Sequence, residues 1–222
     1  MRKYYEAYDD RYRQIHNMNL QWAESDPSPI VQEIIEKLGI TRSDKLLELG
    51  CGEGRDAKPL LLEGYDLLAT DISPEAISYC QKQQPQFAER FQILDCITGK
   101  LDMQFDFVYA VAVVHMLVED CDRNTFYNFI RGHLRSGGKA LICTMGDGEI
   151  QRCSDPATAF TLQERIHQQT GTKVKIAGTS CCMVTFADFE NELHNNSLTI
   201  IEKGITETVP GFSQMMYAVV CL

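Results

Sequence analysis

A short apolar strand that runs directly into three alternating glycines constrains the fold of this chain more than any other feature. Residues 46–55 read LLELGCGEGR, with glycine at positions 50, 52 and 54. Glycine lets the backbone turn tightly and approach a ligand closely, because it carries no side chain. We predict a strand over Lys45–Leu49 before this turn and a helix over Arg55–Glu63 after it. Such a strand–turn–helix unit indicates an open α/β sheet with a ligand site at the strand ends.

Strands and helices alternate along most of the remaining chain. Further strands are predicted over Asp66–Thr70, Arg90–Leu94, Phe105–Val114, Lys139–Thr144, Leu198–Lys203 and Gln214–Cys221. Further helices are predicted over residues 30–38, 73–83, 122–134, 156–168 and 185–195. The inner strands are continuous apolar runs, which predicts a parallel sheet with helices on both faces. The last two strands predict a closing antiparallel hairpin.

Two segments depart from this alternation. An N-terminal helix is predicted within residues 1–26, and one of its faces carries Tyr4, Tyr8, Tyr12 and Ile15. Residues 146–182 are polar and punctuated by glycine, so we interpret them as an insertion after the fifth strand. A length of 222 residues predicts one domain over 1–222.

The charge balance excludes several classes of partner. Lys plus Arg total 21 against 31 for Asp plus Glu, a net charge of −10, which would repel a nucleic-acid backbone. No apolar run approaches the ~18 residues needed to cross a bilayer. The N-terminus turns acidic at Glu6, where a signal peptide would turn apolar. We therefore expect a cytoplasmic protein without a nucleic-acid or membrane partner.

The cysteines give no pattern typical of a metal site. There are nine, and no Cys-x-x-Cys pair or zinc-finger spacing occurs among them. We expect reduced cysteines that act as small core residues. The adjacent Cys181 and Cys182 are the candidates for redox sensitivity.

Two classes of cofactor use a glycine-rich turn at this place, dinucleotides and S-adenosylmethionine. A dinucleotide fingerprint requires a third small residue, and counting from Gly50 that position is Arg55. Glu48 precedes the turn, and a carboxylate there suits a positively charged ligand end better than a pyrophosphate. The residues favour S-adenosylmethionine and leave a nicotinamide-dependent oxidoreductase as the rival.

From this point the chain resembles the class I S-adenosylmethionine-dependent methyltransferases over about residues 30–222. Glu48, Gly50, Gly52 and Gly54 match their first motif. Asp71 matches the acid that binds ribose, and the pair Asp95 and Cys96 matches the position that reads adenine. Residues 134–138, LRSGG, match the turn before strand five, with Ser136 in place of the usual proline. Taken singly, Asp71 could instead cap a helix, Asp95 could be a solvated loop acid, and Glu48 could face the surface.

The resemblance implies a Rossmann-like, doubly wound, seven-stranded sheet that is mostly parallel and ends in an antiparallel hairpin. It also implies that S-adenosylmethionine is the cofactor and S-adenosylhomocysteine its product. The implied cofactor-binding residues are Glu48, Gly50, Cys51, Gly52, Asp71, Ile72, Asp95, Cys96 and Val111. Residues 1–26 would then form a lid, with Tyr4, Tyr5, Tyr12 and Trp22 lining the acceptor pocket, and residues 146–182 would cover the acceptor site.

The segment after strand four indicates the kind of acceptor. It has no D/N-P-P-Y/F stretch and no acidic cluster for magnesium, so it resembles the branch that methylates small molecules without a metal. His115 follows this strand and is the candidate catalytic residue, either a general base or a structural and positioning group. The expected enzyme is a monomer or homodimer that methylates an O, N or S atom of a small molecule. A binding module that holds S-adenosylmethionine as a sensor is the alternative outside enzymes.

Overall fold

A seven-stranded sheet forms the centre of the computed structural model, which describes residues 2–23 and 25–222. The strands are β1 Lys45–Leu49, β2 Asp66–Asp71, β3 Phe91–Ile93, β4 Phe105–Val111, β5 Leu134–Met145, β6 Arg152–Cys153, β7 Leu162–Ile166, β8 Lys173–Ala177, β9 Cys182–Met183, β10 Thr199–Thr206 and β11 Met215–Cys221. The helices are α1 Ala7–His16, α2 Pro29–Leu38, α3 Ala57–Leu62, α4 Pro74–Gln83, α5 Asp120–His133 and α6 Phe186–Asn195. Short 3₁₀ turns cover Tyr4–Glu6, Pro85–Arg90, Val114–Met116 and Pro156–Thr158.

The strand order in the sheet is β10-β11-β5-β4-β1-β2-β3. Strands β1 to β5 pair in parallel, whereas β11 is antiparallel to both β5 and β10. The predicted mostly parallel sheet with a C-terminal antiparallel hairpin is therefore confirmed. The order reverses between β1 and β4, and in open α/β sheets ligands bind at such a reversal, beyond the carboxyl ends of the strands.

Strand β1 shows why the central strands read as unbroken apolar runs. Leu46 faces a core layer that contains Ile34 and Ile35 of α2, whereas Leu47 faces a second layer that contains Phe126 of α5. The four side chains from Leu46 to Leu49 are buried, because helices cover both faces of the sheet.

The predicted helix over residues 156–168 is wrong. This stretch contains one 3₁₀ turn and then β7, which pairs antiparallel with β8. In β8, Val174 and Ile176 alternate with exposed lysines and pack against Ile15 of α1. Tertiary pairing with β8, which itself packs against α1, thus overrides the local propensity of the 156–168 segment.

The expectation that all cysteines are reduced is also wrong. A disulfide joins Cys153 of β6 to Cys182 of β9 and ties the start of the 146–182 segment to its end. Cys51, Cys80 and Cys143 are free and buried in the core, as expected for small apolar residues. Among the helices of the described residues, none has the length and apolar character needed to span a membrane.

A buried ion pair supports the segment that follows β4. The guanidinium of Arg123 on α5 donates from Nη2 to Glu192 of α6 at 2.6 Å. Its Nη1 donates to the carbonyl oxygens of Val114 at 2.9 Å and Leu117 at 3.3 Å. Arg123 is 1% exposed, so its charge depends on these partners rather than on water.

We expect Arg123→Ala to lower the free energy of unfolding by about 2–4 kcal/mol, because it leaves a partly buried carboxylate and two carbonyls without their partner. Urea denaturation measures the change. Arg131→Ala, an exposed substitution on the same helix, serves as the control and should alter stability by less than about 0.5 kcal/mol. Equal effects of the two substitutions would contradict a supporting role for the buried pair.

Candidate active site

A cleft opens beyond the carboxyl ends of β1, β2 and β4, where the strand order reverses. Its empty volume is about 650 Å³. Three groups of residues line it. Gly50, Asp71 and Asp95 lie at or just beyond the ends of β1, β2 and β3. Val113, Met116 and Leu117 belong to the segment after β4, and Tyr5, Tyr8 and Tyr12 to the N-terminal segment.

The structure brings five of the predicted cofactor residues together in this cleft, namely Gly50, Asp71, Ile72, Asp95 and Cys96. The carboxylate of Asp71 accepts the backbone N–H of Gly52 at 2.8 Å and that of Ser73 at 2.8 Å. Burial raises the pKa of Asp71 to about 6, although these two N–H groups oppose the rise. At neutral pH the side chain is therefore mainly a carboxylate, held in a fixed orientation at the cleft wall.

Four other predicted residues lie outside the lining of the cleft. Glu48 is buried beneath the glycine-rich turn and accepts the hydroxyl of Tyr109 at 3.1 Å. Burial, together with the nearby Asp56, raises the pKa of Glu48 well above its ordinary value. Cys51, Gly52 and Val111 are buried as well, and none of them is among the residues that line the cleft.

The predicted catalytic residue His115 does not line the cleft either. It is 5% exposed, its ring meets Phe212 edge-on at 6.1 Å between centroids, and Nδ1 accepts the N–H of Met145 at 3.4 Å. Burial, with the positive charge of Arg123 nearby, lowers its pKa to about 3. These surroundings favour a neutral structural imidazole over a general base.

Val113, Met116 and Leu117 line the cleft but are not among the predicted site residues. The predicted β4 runs to Val114, whereas the strand ends at Val111 and Ala112 takes a left-handed conformation with φ of 62°. This turn directs the following segment across the strand ends. An alanine gives no sequence signal for such a conformation, because non-glycine residues adopt it rarely.

The N-terminal segment forms the outer wall of the cleft. Tyr5, Tyr8 and Tyr12 lie on one face of consecutive turns, and all three line the open space. The Tyr5 hydroxyl lies 3.5 Å from Asp95, and the Tyr8 hydroxyl donates to the carbonyl of Ser180 at 3.0 Å. The 1–26 segment predicted as a lid therefore lies against the cleft, although Met1 and Glu24 fall outside the described residues.

Two of the aromatic residues predicted for the acceptor pocket lie elsewhere. Tyr4 donates to Asp122 at 2.9 Å and accepts the N–H of Val118 at 2.9 Å, away from the open space. Trp22 packs against the guanidinium of Arg11, 4.5 Å from its ring centroid. Arg11 fixes the N-terminal segment to the 146–182 segment, since it donates to the carbonyls of Ala177 and Gly178.

The charges around the cleft have one sign. Its lining, as far as the described residues define it, contains the acids Asp71 and Asp95 but no lysine, arginine or histidine. Within residues 2–23 and 25–222, no cluster of three or more His, Cys, Asp or Glu side chains could hold a metal ion. The arrangement suits a ligand that carries hydroxyl or amino donors and a positive charge.

A family model described as a methyltransferase domain matches residues 47–140 of the chain. The match covers the glycine-rich turn, Asp71, Asp95 and the segment after β4. The resemblance to the class I S-adenosylmethionine-dependent methyltransferases is confirmed.

Two curated relatives match part of the chain. The chain is 32% identical to "Hemagglutinin 1" of Eikenella corrodens over 122 residues, which are 54% of this chain and 40% of the relative. It is 25% identical to "Probable S-adenosyl-L-methionine-dependent methyltransferase TehB" of Haemophilus influenzae over 134 residues, 60% of this chain and 46% of that protein. The chain thus spans less than half the length of these relatives.

A solved structure extends the similarity to nearly the whole chain. It is the Burkholderia thailandensis 1,6-didemethyltoxoflavin-N1-methyltransferase, with bound 1,6-didemethyltoxoflavin and S-adenosylhomocysteine. The TM-score is 0.69, with 16% identity over 98% of this chain and 88% of that one. At this identity the comparison establishes the shared methyltransferase fold.

The missing side chain of Gly52 makes room for Tyr12 of the N-terminal segment as well as for the turn. Its φ is 53°, and a Cβ there would lie 2.5 Å from the hydroxyl oxygen of Tyr12. We expect Gly52→Ala to lower the free energy of unfolding by about 2–3 kcal/mol, through backbone strain of about 1 kcal/mol plus the steric clash.

The matched variant is Gly52→Ala combined with Tyr12→Phe, which removes the clashing oxygen and leaves the backbone strain. A double-mutant cycle from urea denaturation should show that Gly52→Ala costs about 1 kcal/mol less in the Tyr12→Phe background. Additive effects would mean that Tyr12 does not approach the turn in solution.

Proposed function

We propose that the protein is an S-adenosylmethionine-dependent methyltransferase that methylates an O, N or S atom of a small molecule without a metal. The observation that carries the proposal is the buried carboxylate of Asp71, fixed by the glycine-rich turn at the wall of a cleft of about 650 Å³. When bound, S-adenosylmethionine supplies a methyl group on a positively charged sulfur, which is already activated for transfer.

The residues at the cleft fit this cofactor from end to end. Asp71 has the position and charge to accept both ribose hydroxyls, with Ile72 beside it. Asp95 and the backbone of Cys96 would receive the adenine, and the turn at Gly50 would approach the methionine end. We propose that Glu48, Cys51, Gly52 and Val111 act from behind this wall, since they shape the turn and the end of β4 without lining the space.

The chain would contribute to the reaction mainly by positioning. A cleft that holds donor and acceptor in line supplies proximity, and the tyrosines of the lid exclude water. We propose that His115 keeps the structural role and supports the segment after β4 as a neutral imidazole. No general base is then needed for an acceptor atom that is nucleophilic in its neutral form.

The charge of the cleft restricts the acceptor. Asp71 and Asp95 would repel a carboxylate or phosphate, and no cation among the lining residues offsets them. This supports a neutral or cationic small molecule, and the net charge of −10 argues against nucleic acid. The bound acceptor of the Burkholderia structure, a small molecule, is compatible with the same class. A cytoplasmic monomer or homodimer remains the prediction for the whole protein.

A sensor that binds S-adenosylmethionine without catalysis is the second candidate. The observation that favours it is the lid, which Arg11 and Tyr8 fasten to the 146–182 segment beside the cleft. A nicotinamide-dependent oxidoreductase has less support, because Arg55 points its Nη1 at the carbonyl of Pro210 and occupies the third fingerprint position.

The first test is calorimetric titration with S-adenosylhomocysteine, with NAD in parallel. We expect micromolar binding of the first ligand and none of the second. Asp71→Ala should weaken the binding by about 10- to 100-fold, the loss expected for charged hydrogen bonds. The control is Asp66→Ala, at the opposite end of the same strand, which should bind like the wild type. Unchanged affinity in Asp71→Ala would remove the ribose assignment.

Metal independence has a separate test. With a labelled methyl donor and a panel of neutral, cationic and anionic acceptors, we expect transfer to a neutral or cationic compound that persists after treatment with EDTA. Loss of transfer on EDTA treatment, restored by added magnesium, would contradict the metal-free reaction. Binding of S-adenosylhomocysteine without transfer to any acceptor would favour the sensor.

A further inference from the structure

His16, the last residue of α1, lies between two carboxylates. Its Nε2 is 2.9 Å from Oε1 of Glu53, and its Nδ1 is 2.8 Å from Oε1 of Glu75. A neutral imidazole has one N–H and one lone pair, so one of these contacts would set a lone pair against a carboxylate. Both contacts are favourable only when the ring is the doubly protonated imidazolium.

The two carboxylates belong to elements that build the cleft. Glu53 lies within the glycine-rich turn, between Gly52 and Gly54, and it also accepts the backbone N–H groups of Trp22 at 2.9 Å and Ala23 at 2.7 Å. Glu75 lies in the first turn of α4, directly after the end of β2. One protonated ring therefore joins the lid helix to both of these elements.

Among the described residues, few other ionisable groups surround this ring. Tyr79 of α4 stacks on it at 4.7 Å between centroids, and Tyr12 lies 6.1 Å away on α1. On α1 itself, Asp9 accepts the N–H of Glu75 and pairs with Arg13. Burial lowers the pKa of His16, but the hydrogen bonds to the two glutamates and their charges outweigh it, so the pKa lies above its ordinary value of 6.5.

We propose that His16 is a positioning residue whose imidazolium forms ion pairs with Glu53 and Glu75. This His16–Glu53–Glu75 clasp holds the N-terminal helix over the cofactor cleft and keeps the glycine-rich turn in place. The part that concerns the cofactor rests on the function proposed above. The clasp is complete at low pH and is lost as the pH rises through the folded pKa of His16, because that pKa is raised above its unfolded value. Tyr5, Tyr8 and Tyr12 line the cleft from the same segment, so release of the clasp weakens cofactor binding.

Trp22 reports the clasp without any ligand. It is the single tryptophan of the chain, and its backbone N–H donates to the Glu53 carboxylate that His16 also binds. We expect its fluorescence to change with pH between about 6 and 9, with a midpoint above the ordinary 6.5 of histidine. His16→Gln should abolish this transition, whereas His194→Gln, an exposed substitution on α6, should retain it. A transition that survives in His16→Gln would overturn the proposal, since it would belong to another group such as His167.

The cofactor experiment uses S-adenosylhomocysteine as the probe at about pH 7 and pH 8.5, both above the pKa of about 6 of Asp71, so that this carboxylate stays mainly charged. Wild-type affinity should fall by about three- to tenfold over this range. The reason is that a difference of one unit in the pKa of His16 between the closed and the open lid changes the affinity by up to about tenfold. In His16→Gln the affinity should not change with pH. A pH-independent wild-type affinity, with the fluorescence transition intact, would overturn the positioning role. If no variant binds the probe at either pH, the proposed function fails, while the fluorescence still decides whether the clasp exists.

Glu75→Gln provides a second variant in case His16→Gln does not fold, as judged by circular dichroism. It removes one of the two carboxylates and keeps the side-chain shape, so the fluorescence midpoint should move to lower pH. An unchanged midpoint in Glu75→Gln would overturn the assignment of the transition to the clasp.

Discussion

The carboxylate of Asp71 is the point on which the geometry of the cleft depends. It ends β2, and its two oxygens accept N–H groups from the turn after β1 and from the residue before α4. These bonds join two adjacent strand ends and fix the angle at which the glycine-rich turn faces the open space. Burial raises the pKa of Asp71, so keeping its side chain as a carboxylate costs folding free energy. Such a cost is typical of a residue that serves a binding site rather than the stability of the fold.

The sequence contains the signals for the sheet and for half of the cleft. Glycines that permit positive φ and continuous apolar runs predict β1, the turn and the parallel core, since both depend on local chemistry. Val113, Met116 and Leu117 could not be predicted, because they reach the cleft through the left-handed Ala112. The predicted helix over residues 156–168 is wrong for a different reason, since the strand found there exists only by pairing with β8.

The contact between Gly52 and the N-terminal segment shows that a motif match does not settle what each of its residues does. Gly52 matches a cofactor motif, yet the space left by its missing side chain is filled by the Tyr12 hydroxyl of the chain itself. The glycine-rich turn is therefore constrained on one side by its hydrogen bond to Asp71 and on the other by contact with Tyr12 of the N-terminal segment. In the sequence, the periodic spacing of tyrosines in the first helix is the one sign of this contact. That spacing shows that the helix has an apolar face but not which surface the face covers.

The sign of the charges around the cleft also bears on turnover under the proposed function. S-adenosylmethionine carries a positive sulfonium, whereas the product S-adenosylhomocysteine has a neutral sulfur at the same place. Asp71 and Asp95 line the cleft, and no basic side chain among the described lining residues offsets them. Their field stabilises the charged donor more than the product, so methyl transfer itself removes part of the attraction that holds the cofactor. Several contacts hold the N-terminal segment against the cleft and would slow the release of the product, a step that limits many enzymes. The weaker attraction for the product would partly offset this.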